Sequence, residues 1–486
     1  MMQEICKDLK PEYVFRYFED ICRIPHGSGD TKAISDYCVH VAKRSGLDYV
    51  QDSWNNVIIR KPAAPGYENA PVVMLQGHLD MVNEKISTSN HDFSSDPLEL
   101  IVDGEWLRAN GTTLGGDDGI AVAYMLAILT DPDLQHPALE CVFTVDEETG
   151  LTGATEIDLS ECKAKYLINL DSEEEGVFLV SCAGGVRADL TLPIQRKSAT
   201  GEVAEIVLDH LTGGHSGSEI HKERANADQL MGRMLFDVLQ MQDEMAFSLI
   251  ECEGGTKDNA IPRTCSVKLV SWLAKEELEE KFQYCFEIYK KEYQFTEKEM
   301  DLTIVWKGQE EVSILSTQSQ VKVLFLLRMI PNGVCHWSKA IKHLVETSLN
   351  LGIMETDFDH MTLGFSIRSS VETRKQELME QLKFLVEFLG GSIRFTGNYP
   401  GWEYNPDSVL SALMTGIWEE MYGKKPEIKA IHAGLECGII SQKMPGIDIV
   451  SMGPQMEDIH TPQERLNIVS VEKCYNYLTR ILEKMK

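Results

Sequence analysis

Residues Val72–Val82 read Val-Val-Met-Leu-Gln-Gly-His-Leu-Asp-Met-Val, an apolar run that ends in a glycine, an imidazole and a carboxylate. Ala-Pro-Gly and Asn-Ala-Pro bound it upstream, so the run predicts a buried strand. Side chains two apart on an extended segment point to one side, which sets His78 and Asp80 in parallel at the strand's end. A metal-bound imidazole needs its second nitrogen held, commonly by a carboxylate, and His-x-Asp offers both parts. One such pair is ordinary loop chemistry. The rest of the chain repeats the pattern.

Leu139–Val145 predicts a strand that runs into Asp146-Glu147-Glu148-Thr149-Gly150, and Tyr166–Leu170 one that runs into Asp171-Ser172-Glu173-Glu174-Glu175-Gly176. Gly111-Thr112-Thr113-Leu114-Gly115-Gly116-Asp117-Asp118-Gly119 is a glycine-rich turn opening a helix over Ile120–Leu129. It is no phosphate loop, because no Lys-Ser/Thr follows and two carboxylates stand where an anion needs amides. Pro11–Ile24 and Thr31–Gly46 carry helical periodicity, Trp54–Arg60 reads as a turn entering a strand, and Leu98–Trp106 reads as one strand. After Pro400 come a helix over Asp407–Met421, a strand over Ile447–Met452 and a final helix over Val471–Lys486. This alternation predicts an α/β fold with a mostly parallel central sheet flanked by helices, its acidic groups clustered at strand ends where such sheets keep their sites.

Between Val186 and Tyr399 the texture changes. Alternating segments such as Glu205–Leu208 and Thr264–Val270 mix with helical stretches near Glu223–Gln240, Lys275–Tyr293 and Thr373–Leu389. With 486 residues the chain is too long for one core, so residues 1–185 and 400–486 are expected to form one domain. Residues 186–399 are expected to form one or two α+β units inserted in that domain, long enough to allow an internal duplication. Ala227, Leu230, Met231, Met234, Leu235 and Val238 share a helical face and read as core rather than a methionine-rich binding surface.

Composition narrows the class. A net charge of −30 argues against nonspecific nucleic-acid binding and for a well-solvated surface. The twelve cysteines show no Cys-x-x-Cys spacing and read as reduced thiols. Glu4, Lys7, Asp8 and Lys10 leave no apolar core for a secretion signal, and Gly119–Thr130 is too short to span a bilayer. A cytoplasmic enzyme without membrane or nucleic-acid partners is the expectation.

Five strand-end or loop groups stand out: His78, Asp117, Glu148, Asp171 and His460, the last in Glu457-Asp458-Ile459-His460-Thr461-Pro462-Gln463-Glu464. Two imidazoles and three carboxylates suit two divalent ions, each taking one His and one terminal carboxylate while the remaining carboxylate bridges. Nitrogen and oxygen donors without thiolate favour Zn and also accept Mn or Co. Such a pair can polarise a carbonyl or a phosphoryl oxygen, so phosphoester hydrolysis stays open at this point. In Glu147-Glu148 one carboxylate can hold metal while its neighbour moves a proton.

Taken together, Gly77-His78-Leu79-Asp80, Gly115-Gly116-Asp117-Asp118-Gly119, Asp146-Glu147-Glu148-Thr149-Gly150, Asn169-Leu170-Asp171-Ser172 and Ile459-His460-Thr461-Pro462 resemble the two-metal peptidases related to aminoacylase and carboxypeptidase, and among them the aminoacyl-histidine dipeptidases. Gly213-Gly214-His215-Ser216-Gly217 and His432-Ala433-Gly434-Leu435-Glu436-Cys437-Gly438 carry the likeness along the whole chain. The resemblance implies that His78 and Asp171 hold one ion, Glu148 and His460 the other, and that Asp117 bridges them. It further implies that Asp80 orients His78, and that the Asp117–Asp118 peptide is cis. It casts Glu147 as general base and then acid for attack by a metal-bridging hydroxide. His215 is implied to stabilise the carbonyl oxygen, with Asn259, Arg368 and Gly434 binding substrate, and a closing lid over the metals. Glu436 is left between facing the substrate amine and capping a helix. A homodimer is expected by the same resemblance. The alternatives are a broad-specificity dipeptidase, an N-acyl amino-acid deacylase, or a metal-binding scaffold without catalysis.

Overall fold

A computed structural model describes residues 5–486, and Val73–His78 lies inside an eight-stranded sheet. Leu139–Thr144 and Tyr166–Asn169 flank it in parallel, and Asp448–Ser451 extends the parallel set beside Tyr166–Asn169. Val73–His78 and Leu139–Thr144 are buried at every position, so their side chains show no apolar–polar alternation. The rims differ from the centre: Val57–Lys61 pairs antiparallel with Leu139–Thr144, Asp48–Gln51 with Val57–Lys61, and Val177–Cys182 with Asp448–Ser451. A parallel four-strand core with antiparallel edges carries all the strand-end acids.

The helix Gly116–Thr130 is buried on all sides, so its sequence is apolar around the whole circumference. Its first turn departs from helical geometry at Asp117 and Asp118, and regular helix begins only after them. The Asp117–Asp118 peptide is cis. Glu12–Cys22 instead buries one stripe, with Val14, Phe15, Phe18 and Ile21 inward. Leu98–Trp106 is not a single strand. It breaks at Gly104 (φ 63°) into a hairpin of Leu100–Asp103 and Trp106–Ala109, because Asp-Gly there supplies a left-handed turn position.

Two compact units emerge. The first runs to Cys182 and resumes over Trp402–Ala430 and Leu435–Lys486; the second is Ala183–Gly401 with Ile431–Gly434. The second unit holds one nine-stranded sheet. Every strand pairing recorded in that sheet is antiparallel. Helices Ala227–Gln240, Lys275–Glu292, Thr317–Met329 and Glu372–Phe388 complete its core. Ala227, Leu230, Met231, Met234, Leu235 and Val238 are buried there. Among the described residues no helix is long and apolar enough to cross a membrane.

Asp228, in the first turn of Ala227–Gln240, is fully buried, and neither carboxylate oxygen has a hydrogen-bond partner of ordinary geometry. Burial pushes its pKa up to about 8, against the weak help of the Cys265 thiol. An acid whose folded pKa lies above its unfolded value is bound to its proton more tightly in the native state. That advantage is full below about pH 4 and is lost as pH rises through the folded pKa. Asp228→Asn is therefore expected to match the parent near pH 4 and to exceed its stability by about 2–4 kcal/mol at pH 8, read by denaturant unfolding across that range.

Candidate active site

His78 ends its strand, and Asp80 lies just beyond it. The His78 Nδ1–H donates to the Asp80 carbonyl oxygen at 2.9 Å, with the Asp80 carboxylate 3.5 Å away. That bond fixes the ring's orientation and turns Nε2 outward. The Asp80 carboxylate has further duties. It accepts the backbone N–H groups of Glu147 and Glu148 at 3.1 and 3.4 Å and the Ser28 hydroxyl at 2.8 Å. One buried acid thus ties the His78 strand end to the Glu147-Glu148 loop.

Asp117 divides its two oxygens between the two imidazoles. Oδ1 is 3.1 Å from His78 Nε2 and Oδ2 is 3.0 Å from His460 Nε2. Asp171 Oδ1 stands 3.7 Å from His78 Nε2, and Glu148 Oε1 stands 2.8 Å from His460 Nε2. Glu148 Oε1 is buried yet makes no hydrogen bond of proper angle, the geometry of a donor aimed at a shared point rather than at its neighbour. Potential ligand atoms of Asp117, Glu148 and His460 group together, as do those of His78, Asp118 and Asp171, and of His78, Glu147 and Glu148. Hard oxygen and imidazole donors in these three overlapping groups, with Asp117 reaching both His78 and His460, fit a pair of divalent cations.

Electrostatics follow from this crowding. Burial alone would lower His78, but Asp117, Asp80 and Asp171 hold it well above the imidazole range. The adjacent carboxylates of Asp117 and Glu148 lift His460 to about 10 despite partial burial. Burial raises Asp117, yet His460 and His78 more than reverse it and keep this carboxylate below its usual range. Glu147 goes the other way: burial, then the acids Glu436, Glu148 and Asp117, raise it to about 8 against the opposing pull of His78. Neighbouring carboxylates with opposed pKa values are suited to different tasks.

Three site residues were not singled out from the sequence. Asp118 is buried and accepts the His78 backbone N–H at 3.2 Å; a Cβ at Gly77 would collide with its carboxylate, so that glycine is a packing requirement. Ser28 reaches Asp80 from a loop with no local signature. Glu464 is the third. Its buried carboxylate accepts the amides of Leu114, Gly115 and Gly116 at 2.7, 3.2 and 2.8 Å, with Asp117 N at 3.4 Å. It clamps the glycine-rich turn that delivers Asp117, from four residues beyond His460. Glu464→Ala leaves those amides unpaired, and metal affinity is expected to fall by about 10–100-fold in a chelator competition. Asp146 (φ 53°) and His460 (φ 60°) occupy the left-handed region although neither is glycine, a local strain of the kind that collects at functional loops.

Four residues lie in the second unit. Gly214–His215 pairs with Ala260–Ile261, and Ser216 N–H donates to the Asn259 carbonyl at 2.9 Å, so His215 and Asn259 share one short ribbon. His215 Nδ1 accepts the amides of Gly217 and Ser218 at 3.2 and 3.1 Å, which leaves the proton on Nε2. Burial and the Arg368 guanidinium lower its pKa, keeping the ring neutral with one outward donor. Arg368 Nη1 donates to Tyr399 Oη at 3.3 Å, and a Cβ at Gly217 would come within 3.2 Å of the guanidinium carbon. A Cβ at Gly434 would meet the Tyr399 ring at 2.8 Å.

Comparison with known proteins places the chain in a family. The sequence profile of peptidase family M20/M25/M40 matches residues 74–484. The chain is 36% identical over 480 residues to the cytosol non-specific dipeptidase of Escherichia coli (strain K12), covering 98% of each. It superposes on the crystal structure of aminoacylhistidine dipeptidase from Vibrio alginolyticus with a TM-score of 0.91 at 37% identity, over 100% of this chain and 98% of that one. Aminopeptidase PepT from Bacillus cereus shares the fold at 14% identity, with a TM-score of 0.56 over 98% of this chain and 99% of that one.

Proposed function

The chain belongs to peptidase family M20/M25/M40, and from that premise we propose that it is a two-metal dipeptidase acting on aminoacyl-histidine substrates such as β-alanyl-histidine. The observation that carries the reading is the division of Asp117 between His78 and His460, with Glu147 close to His78 and Glu148. His78 and Asp171 would hold one cation and Glu148 and His460 the other, with Asp117 shared between them. When bound, two such ions polarise a carbonyl oxygen and acidify water.

The protein's own groups do the rest. Glu147 accepts the proton of the attacking water and returns it to the leaving amine, a task suited to a carboxyl raised towards neutral pH. Asp80 keeps His78 oriented and holds the backbone of Glu147 at the same time. The neutral His215 offers its Nε2–H to an oxygen that becomes anionic as the carbonyl is attacked. Arg368 binds the dipeptide carboxylate, where a guanidinium can donate in bidentate fashion. Asn259 completes the grip with a side-chain amide, and Gly434 lets backbone approach. Zn as the resident metal, with Mn or Co as substitutes, a cytoplasmic location and a homodimer belong to the same proposal.

A broader dipeptidase is the second reading, favoured by the non-specific activity in the name of the Escherichia coli relative. A substrate panel separates the two. β-Alanyl-His and Gly-His hydrolysed at least about tenfold better than Gly-Leu, by kcat/KM, supports histidine preference, a difference worth about 1.4 kcal/mol. Equal rates support the broad enzyme, and turnover of acetyl-amino acids alone points to a deacylase. No hydrolysis with Zn, Mn or Co supplied would remove the catalytic reading.

A further inference from the structure

Beneath the strand ends lies a row of polar side chains that the metal chemistry does not use. Gln76, Thr144, Asn169 and Glu436 are all fully buried. Asn169 Nδ2 donates to Gln76 Oε1 at 2.7 Å, across strands on which the two residues are register partners. Gln76 Nε2 donates to Thr144 Oγ1 at 3.1 Å and to Glu436 Oε2 at 2.5 Å. The Thr144 hydroxyl donates to the same Glu436 oxygen at 2.7 Å. Glu436 opens the helix Glu436–Lys443, but its carboxyl faces the sheet and forms no cap.

A buried polar row is costly to keep unless its partners are in place, and apolar side chains would fill the same space more simply. Its position supplies a reason. Gln76 is two residues before His78, and Asn169 two before Asp171, so each lies one step down its chain from a proposed metal ligand. Thr144 is the last residue of its strand, three before Glu147. Glu436 alone comes from outside the strands, and it joins two of them. Burial raises its pKa to about 7, so the carboxyl can serve as a hydrogen-bonding group without needing a full charge.

We infer that Glu436 is a positioning residue: its carboxyl, held between Gln76 and Thr144, sets the register and direction in which two neighbouring strands present His78 and Glu147. The inference rests on the two-metal reading of those residues and adds that what Glu436 contributes is hydrogen bonding.

The test compares Glu436→Gln, Glu436→Ala and Thr144→Val in the full-length chain. Zn²⁺ affinity is read by competition with a chromophoric chelator, and kcat and KM are read on Gly-His. Gln still accepts the Thr144 hydroxyl, so Glu436→Gln is expected to stay within about threefold of the parent in every quantity. Glu436→Ala is expected to lose about 10–100-fold in Zn²⁺ affinity and a similar factor in kcat, with KM nearly unchanged and a parental circular-dichroism spectrum. Thr144→Val, which removes the hydroxyl that accepts from Gln76 and donates to Glu436, should lose about 3–10-fold in Zn²⁺ affinity, and it decides the matter if Glu436→Ala fails to fold. Parental behaviour of Glu436→Ala, or of Thr144→Val, overturns the inference, and so does a Gln variant as impaired as the Ala one. The chelator measurement needs no substrate, so a parent protein inert towards dipeptides would defeat the dipeptidase reading while leaving this one measurable.

Discussion

Glu147→Gln is expected to cut kcat by about 10²–10⁴-fold while the protein still binds two metal ions, a loss of roughly 3–5 kcal/mol in transition-state stabilisation. The amide is nearly isosteric with the carboxylate but cannot take up a proton. Glu147 is anchored through its backbone N–H on Asp80, a bond the substitution leaves in place. Removal of one acid among Glu436, Glu148 and Asp117 also eases local repulsion, so the remaining groups have no cause to move. The loss should therefore appear in kcat with little change in KM, the signature of an interaction made only in the transition state. Comparable turnover in a variant carrying its full metal complement would take the proton-transfer role away from Glu147.

Asp117→Ala is expected to do more. It withdraws one oxygen from each of two imidazole-centred groups at once, since Oδ1 faces His78 and Oδ2 faces His460. A lost two-metal clamp costs several kcal/mol of charge stabilisation, so activity should fall by at least about 10³-fold. Metal content, measured on the isolated variant, should drop below that of the parent. The contrast with Glu147→Gln is the informative part. One substitution silences a protein that retains its ions, and the other silences it by releasing them. If both variants kept parental metal content, Asp117 would not be a bridge.

How much of this was legible beforehand depended on sequence distance. His78, Glu148 and Asp171 follow apolar runs closely, so a strand-then-ligand pattern exposed them. Each lies at the end of a strand, or within a few residues of one, in a single parallel set. Glu464 has no such local pattern. Its carboxylate meets the Leu114 amide from 350 residues away, and nothing in Thr461-Pro462-Gln463-Glu464 announces that reach. Glu436 likewise meets Gln76 across 360 residues, which is why its role could not be chosen between amine contact and capping. The Leu100–Ala109 hairpin was hidden by reading an apolar run through Asp103-Gly104, a turn signal that outweighs the run. In the second unit, Asp301–Leu315 is largely exposed on alternate positions and rich in charge, so it lacked the hydrophobic contrast that marks a strand.

The measurement that bears most directly on two cations sharing Asp117 is a metal titration of chelator-stripped protein, with hydrolysis of Gly-His followed at each addition. Activity should be near zero in the stripped protein and climb to a plateau at two equivalents of Zn²⁺ per chain. Turnover that survives stripping, or a plateau reached at a single equivalent, would contradict the account.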